Sequence, residues 1–315
     1  MSDLKQSGLQ LRRALVGLAA LLTAVVAPHR CWGCACGCGV FDVQTNALMP
    51  NGSGGTAYLE YDYQDQNQNW SGTSSAPAAN NSDKEIRTNF FKVGAEYMLN
   101  RKWGVMGDVP YWGRYFNTTD ANGNIAGYNH SSLGDIRVNG VYSGFSPDMS
   151  TGITFGVKLP TGDCSYPNFD RDTEIGSGST DILFGVYHTA SLTKGNLWNW
   201  FSSAQLDQPV LITGDYRPGG EMDVTTGVYY NGWTIGKYKV APILQAIGSV
   251  RARDAGALAD PSDSGYGRVL LAPGLEVHAG GFKVDGDIAF PVVQNVNGNQ
   301  LVASELCRVI VSHDF

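Results

Sequence analysis

Four cysteines, Cys31, Cys34, Cys36 and Cys38, stand within the nine-residue run CWGCACGCG. Thiolates this close, with glycine between them, can converge on a soft metal ion or an iron–sulfur cluster. Two other readings stay open. In an oxidising compartment such thiols form disulfides or stay exposed and redox-active, although i,i+2 pairs would close strained loops. The run also borders a processing point, and cleavage after Ala35 would discard Cys31 and Cys34. No cofactor is expected beyond a metal or cluster at these four positions. No C-x-x-C-H occurs, which argues against covalent haem.

Other catalytic sets are missing. His29, His130, His188, His278 and His313 are scattered, with no short metal-ligand spacing. There is no G-x-S-x-G elbow and no phosphate-binding P-loop. A hydrolase would need a Ser and a His on facing strands with a third group orienting the His, and nothing selects such a set. The chain reads as a non-enzyme. A net charge of -7 without a basic stripe argues against a nucleic-acid partner.

What the charged residues do have is a phase. Glu60 and Asp62 oppose Leu59, Tyr61 and Tyr63, while Lys92 and Glu96 oppose Phe91, Val93, Ala95 and Tyr97. Asp135 and Arg137 oppose Ile136 and Val138, and Asp285 and Asp287 oppose Val284 and Ile288. Continued along the chain, the same phase adds Asp108, Lys158, Glu276 and Arg308. Alternation at period two is the signature of a strand with two unlike faces. In a soluble sandwich the charged face meets water; in a membrane barrel it lines the lumen, where rings of charge set the preference of a pore. Alternatively, opposite charges among these twelve candidates pair across the lumen and plug it.

The elements that would carry them are about twelve short runs near residues 56–64, 86–99, 103–111, 133–144, 151–159, 181–192, 200–207, 222–231, 239–250, 268–278, 282–290 and 304–315. Clusters of Gly, Asn, Asp, Ser and Pro separate them, as in an all-β protein. The gaps alternate long and short. Long ones fall near 65–85, 112–132, 160–180, 208–221, 251–267 and 291–303. An up-and-down antiparallel transmembrane barrel, with long loops on one side and tight turns on the other, gives that rhythm. A Greek-key sandwich does not. Tyr97, Trp103, Tyr111, Trp112, Tyr142, Trp198, Trp200, Tyr229, Tyr230 and Trp233 cluster near strand ends, where aromatic girdles are expected.

Upstream, Lys5, Arg12 and Arg13 precede the apolar run ALVGLAALLTAVVA. A basic start, a short apolar core and a small final residue describe a secretory signal peptide over residues 1–27, with cleavage as late as 35. Residues 28–55 then form a Cys/Gly-rich periplasmic segment or plug, and 56–315 the barrel. Beyond the signal no apolar run approaches the ~20 residues of a spanning helix, so a membrane location requires a closed barrel. The expected location is the bacterial outer membrane. Its lipid, the barrel-assembly machinery and a small-molecule solute are the expected partners.

The chain ends LCRVIVSHDF, like the terminal strand of outer-membrane proteins. Cys307, Val309, Val311 and Phe315 keep the apolar phase, His313 departs from it, and Phe315 is the expected insertion terminus. From about 132 to the end, LGDI at 133–136, VKLPTGD at 157–163 and GSGSTD at 176–181, with VPY at 109–111 upstream, resemble the phenol meta-cleavage-pathway outer-membrane transporter family. The resemblance implies a barrel that takes up organic compounds. Read on their own, these residues shape loops: Pro160 suits a strand end, while Gly162 and Asp163 suit a turn.

Overall fold

The computed structural model describes residues 49, 50, 52, 54–120 and 122–315. The signal segment and the four clustered cysteines lie outside the described residues.

Among the described residues fourteen strands form one sheet: β1 (Gly54–Gly72), β2 (Ser74–Ser75), β3 (Asp83–Met98), β4 (Trp103–Thr119), β5 (Ile125–Leu133), β6 (Ile136–Tyr142), β7 (Thr151–Leu159), β8 (Ser179–Ser191), β9 (Trp198–Ile212), β10 (Glu221–Tyr230), β11 (Trp233–Ile235), β12 (Tyr238–Arg251), β13 (Tyr266–Ala279) and β14 (Phe282–Asp314). Hydrogen bonding runs β10-β9-β8-β7-β6-β4-β3-β1-β14-β13-β12, and a β10–β12 ladder closes the ring. Eleven strands thus make an antiparallel closed barrel, while β2, β5 and β11 stand outside it. Closure leaves no open edge to the wall, the usual liability of a sheet.

β14 supplies two arms. Its first half pairs with β13 and its second with β1. Between them Gly298 adopts φ 62°, a left-handed conformation that glycine reaches without Cβ strain. The arms then lie side by side: the Phe282 and His313 rings are 4.7 Å apart. The chain end is clasped to the barrel start by reciprocal Gly55 and Phe315 backbone bonds of 2.8 Å. Any Cβ on residue 55 would sit 2.3 Å from the Phe315 ring.

The two faces of the wall are inverted relative to an ordinary core. Leu59 is 49% exposed and Val93 61%, whereas their neighbours Glu60 and Asp62 are 2% and 1% exposed. The exposed face of the ring strands is largely apolar, and the buried face mixes charged and polar side chains with apolar ones such as Ile86, Phe116 and Phe201.

Several gaps expected as loops are strand. β1, β3 and β4 run on past their expected ends, β5 occupies much of the 112–132 gap, and the 291–303 gap is strand with a turn in it. Polar residues there pair as hairpins; without apolar alternation, their sequence carries no strand signal. The longest gaps among the described residues are 160–178 and 252–265, while 213–220 is no longer than 143–150. Two aromatics expected near the girdle turn elsewhere: Trp112 lines the interior, and Tyr229 packs on an internal cluster. That cluster sits at the short-turn end. It gathers Met49, Met98, Met106 and Met149 with Val141, Tyr187, Phe201 and Ile243. Met149 enters it from a turn with φ 63°, a backbone strain that burial of its side chain must offset.

Candidate functional site

The interior is built from the inward phase of the strands. All twelve charged residues selected by phase are buried or half-buried there. They do not form one ring. Lys92 on β3 pairs with Glu60 on β1 at 3.1 Å. Arg308 on β14 binds Asp287 at 2.6 Å. Lys158 on β7 reaches Asp207 on β9 at 2.9 Å and also contacts Asp181 on β8, while Arg137 on β6 lies 3.4 Å from Asp207. Lys92–Glu60 and Lys158–Asp181 join neighbouring strands on one face, whereas Lys158 and Arg137 reach Asp207 past intervening strands. Opposite charges therefore do pair within the lumen, yet they leave a cavity of about 130 Å³ beside them.

Asp62, Lys92, Asp108, Asp135, Arg137 and Lys158 line this cavity. Glu60 stands behind it, paired with Lys92. Glu96, Glu276, Asp285, Asp287 and Arg308 lie elsewhere on the interior face and do not line it. The lining also holds residues that strand phase did not select: Asp181, Asp207, Glu221, Arg251, the rings of Phe90 and Tyr216, Asp172, Glu174 and Ile175 from the β7–β8 loop, and Trp112, expected at the girdle instead. Extending the period-two phase by one step would have found Asp181 and Asp207. The loop residues carry no such signal, because a loop's inward turn is not written in strand periodicity.

That loop, residues 160–178, folds into the barrel. β7 ends at Leu159, before Pro160, which has no N–H for a ladder. Arg114 on β4, fully buried, then holds the loop from inside: its Nη1 donates to the carbonyls of Thr173 at 2.5 Å and Glu174 at 3.1 Å, and its Nε to the Thr88 hydroxyl at 3.0 Å. Phe169 packs on Phe116, Ile86 and Leu301. Arg171 lies over the Tyr216 ring at 4.3 Å.

The loop's neck is where the sequence motifs meet. Asp135, between β5 and β6, accepts from the Gly162 N–H at 2.9 Å with one oxygen. With the other it accepts from the Ser177 N–H at 2.8 Å and hydroxyl at 2.5 Å. The Thr161 hydroxyl donates to the Gly134 carbonyl at 2.8 Å, and the Gly176 N–H donates to the Asp163 carbonyl at 2.7 Å. Gly162 and Gly176 cross so closely that a Cβ on residue 162 would lie 2.6 Å from the Gly176 Cα. Thus 133–136, 157–163 and 176–181 form one unit that turns the loop inward.

Two further loops cover the same mouth. Asp254, in the β12–β13 connection, accepts from Tyr216 at 2.7 Å, from the Gly219 N–H at 2.7 Å and from Arg251 at 2.8 Å. Burial raises the loop carboxyls: Asp170 to about 6 and Glu174 to about 7. Asp172 rises well above the ordinary carboxylate range, first through burial and then through Asp83, Asp170 and Asp254. Among the described residues no group of three or more His, Cys, Asp or Glu is arranged to hold a metal ion. Cys164 and Cys307 are free.

No protein-family model matches the sequence, and no curated protein matches it. Solved structures do share the fold. An outer-membrane channel from Pseudomonas putida F1 superposes with a TM-score of 0.62 at 11% identity, covering 87% of this chain and 100% of that one. The β domain of the Bordetella autotransporter BrkA gives 0.50 at 10% identity, over 84% of this chain and 100% of that one.

Proposed function

We propose that the chain is a bacterial outer-membrane channel for small organic molecules. The carrying observation is the inverted barrel: a closed wall, apolar outside and charged within. In lipid every backbone polar group must be satisfied within the protein, and a closed ring of strands does this. Shared fold with an outer-membrane channel supports the location. The ring has eleven strands, and the two arms of β14 support a reading of about twelve spans. An even number puts both ends of the barrel on the periplasmic side.

Residues 1–27 serve as the export signal in this reading, and 28–55, whose Met49 packs in the internal cluster, as a periplasmic segment or plug. The assembly machinery engages the terminal strand ending at Phe315. The motifs around the loop neck, through their resemblance to the phenol meta-cleavage transporters, support organic solutes. The inward charged residues act as the polar lining of the path, with the 160–178 loop as its constriction. Eight strands are filled by their own side chains and sixteen leave a water channel, so about twelve suit a narrow path.

A second reading, a closed structural barrel, draws on one observation: the methionine cluster fills the short-turn end while loops cover the other. Single-channel conductance of the purified protein in a planar bilayer, with residues 31–38 present and then deleted, separates the two. Stable conductance in both forms supports a pore. Conductance only after deletion makes the segment a plug. Silence in both forms moves the reading to the closed barrel.

A further inference from the structure

Eight carboxylates and five cations line the central cavity, so its formal charge is negative. Its cations are engaged. Lys92, Arg137, Lys158 and Arg251 each have a carboxylate within salt-bridge distance, and Arg171 donates to the Ser177 carbonyl at 2.6 Å. An anionic guest would have to pull one of these cations from its partner and leave a buried charge uncompensated, which is costly. The carboxylates are in surplus. Asp62, 1% exposed, and Glu174, 7% exposed, both line the cavity, and each carries an oxygen with no hydrogen-bond partner. One comes from the wall and the other from the inward loop.

The aromatic part of the lining suits the same sign of charge. Phe90 and Trp112 meet edge to face at 4.8 Å. A cation lies over Trp112 at 5.4 Å, the Arg114 guanidinium, and another over Tyr216. Ring faces attract cations through their quadrupole, more strongly where water is excluded.

We propose that this chamber binds an organic cation, a protonated amine on an apolar or aromatic body, between the carboxylates of Asp62 and Glu174 and the rings of Phe90 and Trp112. The proposal rests on the channel reading and names the class of solute that pauses in its path. The guest's ammonium donates to the unpartnered oxygens, and its charge favours the ionised form of Glu174, which burial raises to about 7 in the empty chamber; its body lies against the rings. No metal geometry is needed.

The test is equilibrium binding to the purified full-length protein in detergent, by calorimetry, with two probes that share a ring and differ in charge: 2-phenylethylammonium and phenylacetate. The ammonium is expected to bind at least about tenfold more tightly. Asp62→Asn and Glu174→Gln should each weaken it by about three- to tenfold, with the carboxylate probe unaffected. Glu174 sits on the loop, so that variant keeps the wall, and unchanged heat-modifiable migration on a gel checks it. Equal binding of both probes, tighter binding of phenylacetate, or no binding of either overturns the proposal. Conductance is read separately. A protein that conducts but ignores the ammonium sinks this inference alone, whereas one that binds it without ever conducting sinks the channel and leaves the chamber.

Discussion

Asp135 holds Ser177 by both its backbone N–H and its hydroxyl, at 2.8 and 2.5 Å, across 42 residues of chain. The other oxygen of the same carboxylate takes the Gly162 N–H, so one side chain ties together the outgoing and returning ends of the inward loop. Asp135→Ala removes the acceptor and orphans three donors. Charge-assisted bonds of this kind are worth about 2–3 kcal/mol each, all of it local to the neck. The loop should swing out while the wall persists. Single-channel conductance should rise and protease should cut within 160–178, with heat-modifiable migration retained. Conductance equal to that of the parent would show that the loop does not constrict the path.

Gly162→Ala tests the same neck by size instead of charge. The new Cβ would meet the Gly176 Cα at 2.6 Å, and backbone cannot retreat as a side-chain tip can. The variant should reproduce the protease sensitivity of Asp135→Ala. If the loop stays protected, the two glycines do not need their close approach.

Arg114→Met should act on the loop from inside. The methionine fills space but leaves the Thr173 and Glu174 carbonyls and the Thr88 hydroxyl without their buried donor. Loss of about 3 kcal/mol is expected, read as a lower temperature for loop proteolysis or for the gel-mobility transition. A variant as resistant as the parent would mean that water replaces the guanidinium.

The inward phase of the wall was legible in the sequence because strand periodicity forces it: Glu60, Asp62, Lys92 and Arg308 had to face opposite Leu59, Phe91 and Val309 once they lay in strands. The neck was half legible. Gly162, Asp163 and Ser177 read correctly as loop-shaping residues, but their convergence on Asp135 is a tertiary fact. Asp135 itself was read as one more wall carboxylate. Arg114, Asp172 and Glu174 were beyond reach, since they matter only after a loop with no period turns inward. The long polar hairpins of β4 and β5 were missed for a related reason: both faces are polar there, and the pattern has nothing to alternate.

The loop should also respond to pH. Burial holds Glu174 at about 7 and Asp170 at about 6 in the docked loop. Both lie above the ordinary carboxylate value, so the docked state binds more protons than the released one. Docking is therefore strongest at low pH and loses stability as pH rises through about 7. Burial sets the sign for both; at Glu174 Asp163 adds to it, while Arg171 and Arg114 limit the loss. Gating noise and loop proteolysis should increase between about pH 5 and pH 8, and Glu174→Gln should flatten part of the rise. A profile that is flat, or falls with pH, would contradict the docked-loop electrostatics.

The chain end offers the last prediction. Phe315 exchanges two backbone bonds with Gly55, and its ring covers that glycine and stacks on Tyr97 at 6.5 Å. Phe315→Ala keeps the backbone pair and removes the ring. Because the ring is 66% exposed, the folded barrel should lose only about 1 kcal/mol. Deleting the residue also removes both closing bonds at the β1–β14 seam and should cost more. If the aromatic terminus serves recognition by the assembly machinery, Phe315→Ala should lower the amount of barrel in outer-membrane fractions several-fold while the barrels that do assemble melt close to the parent. Equal losses in yield and in melting temperature would instead assign the ring a packing role at the seam.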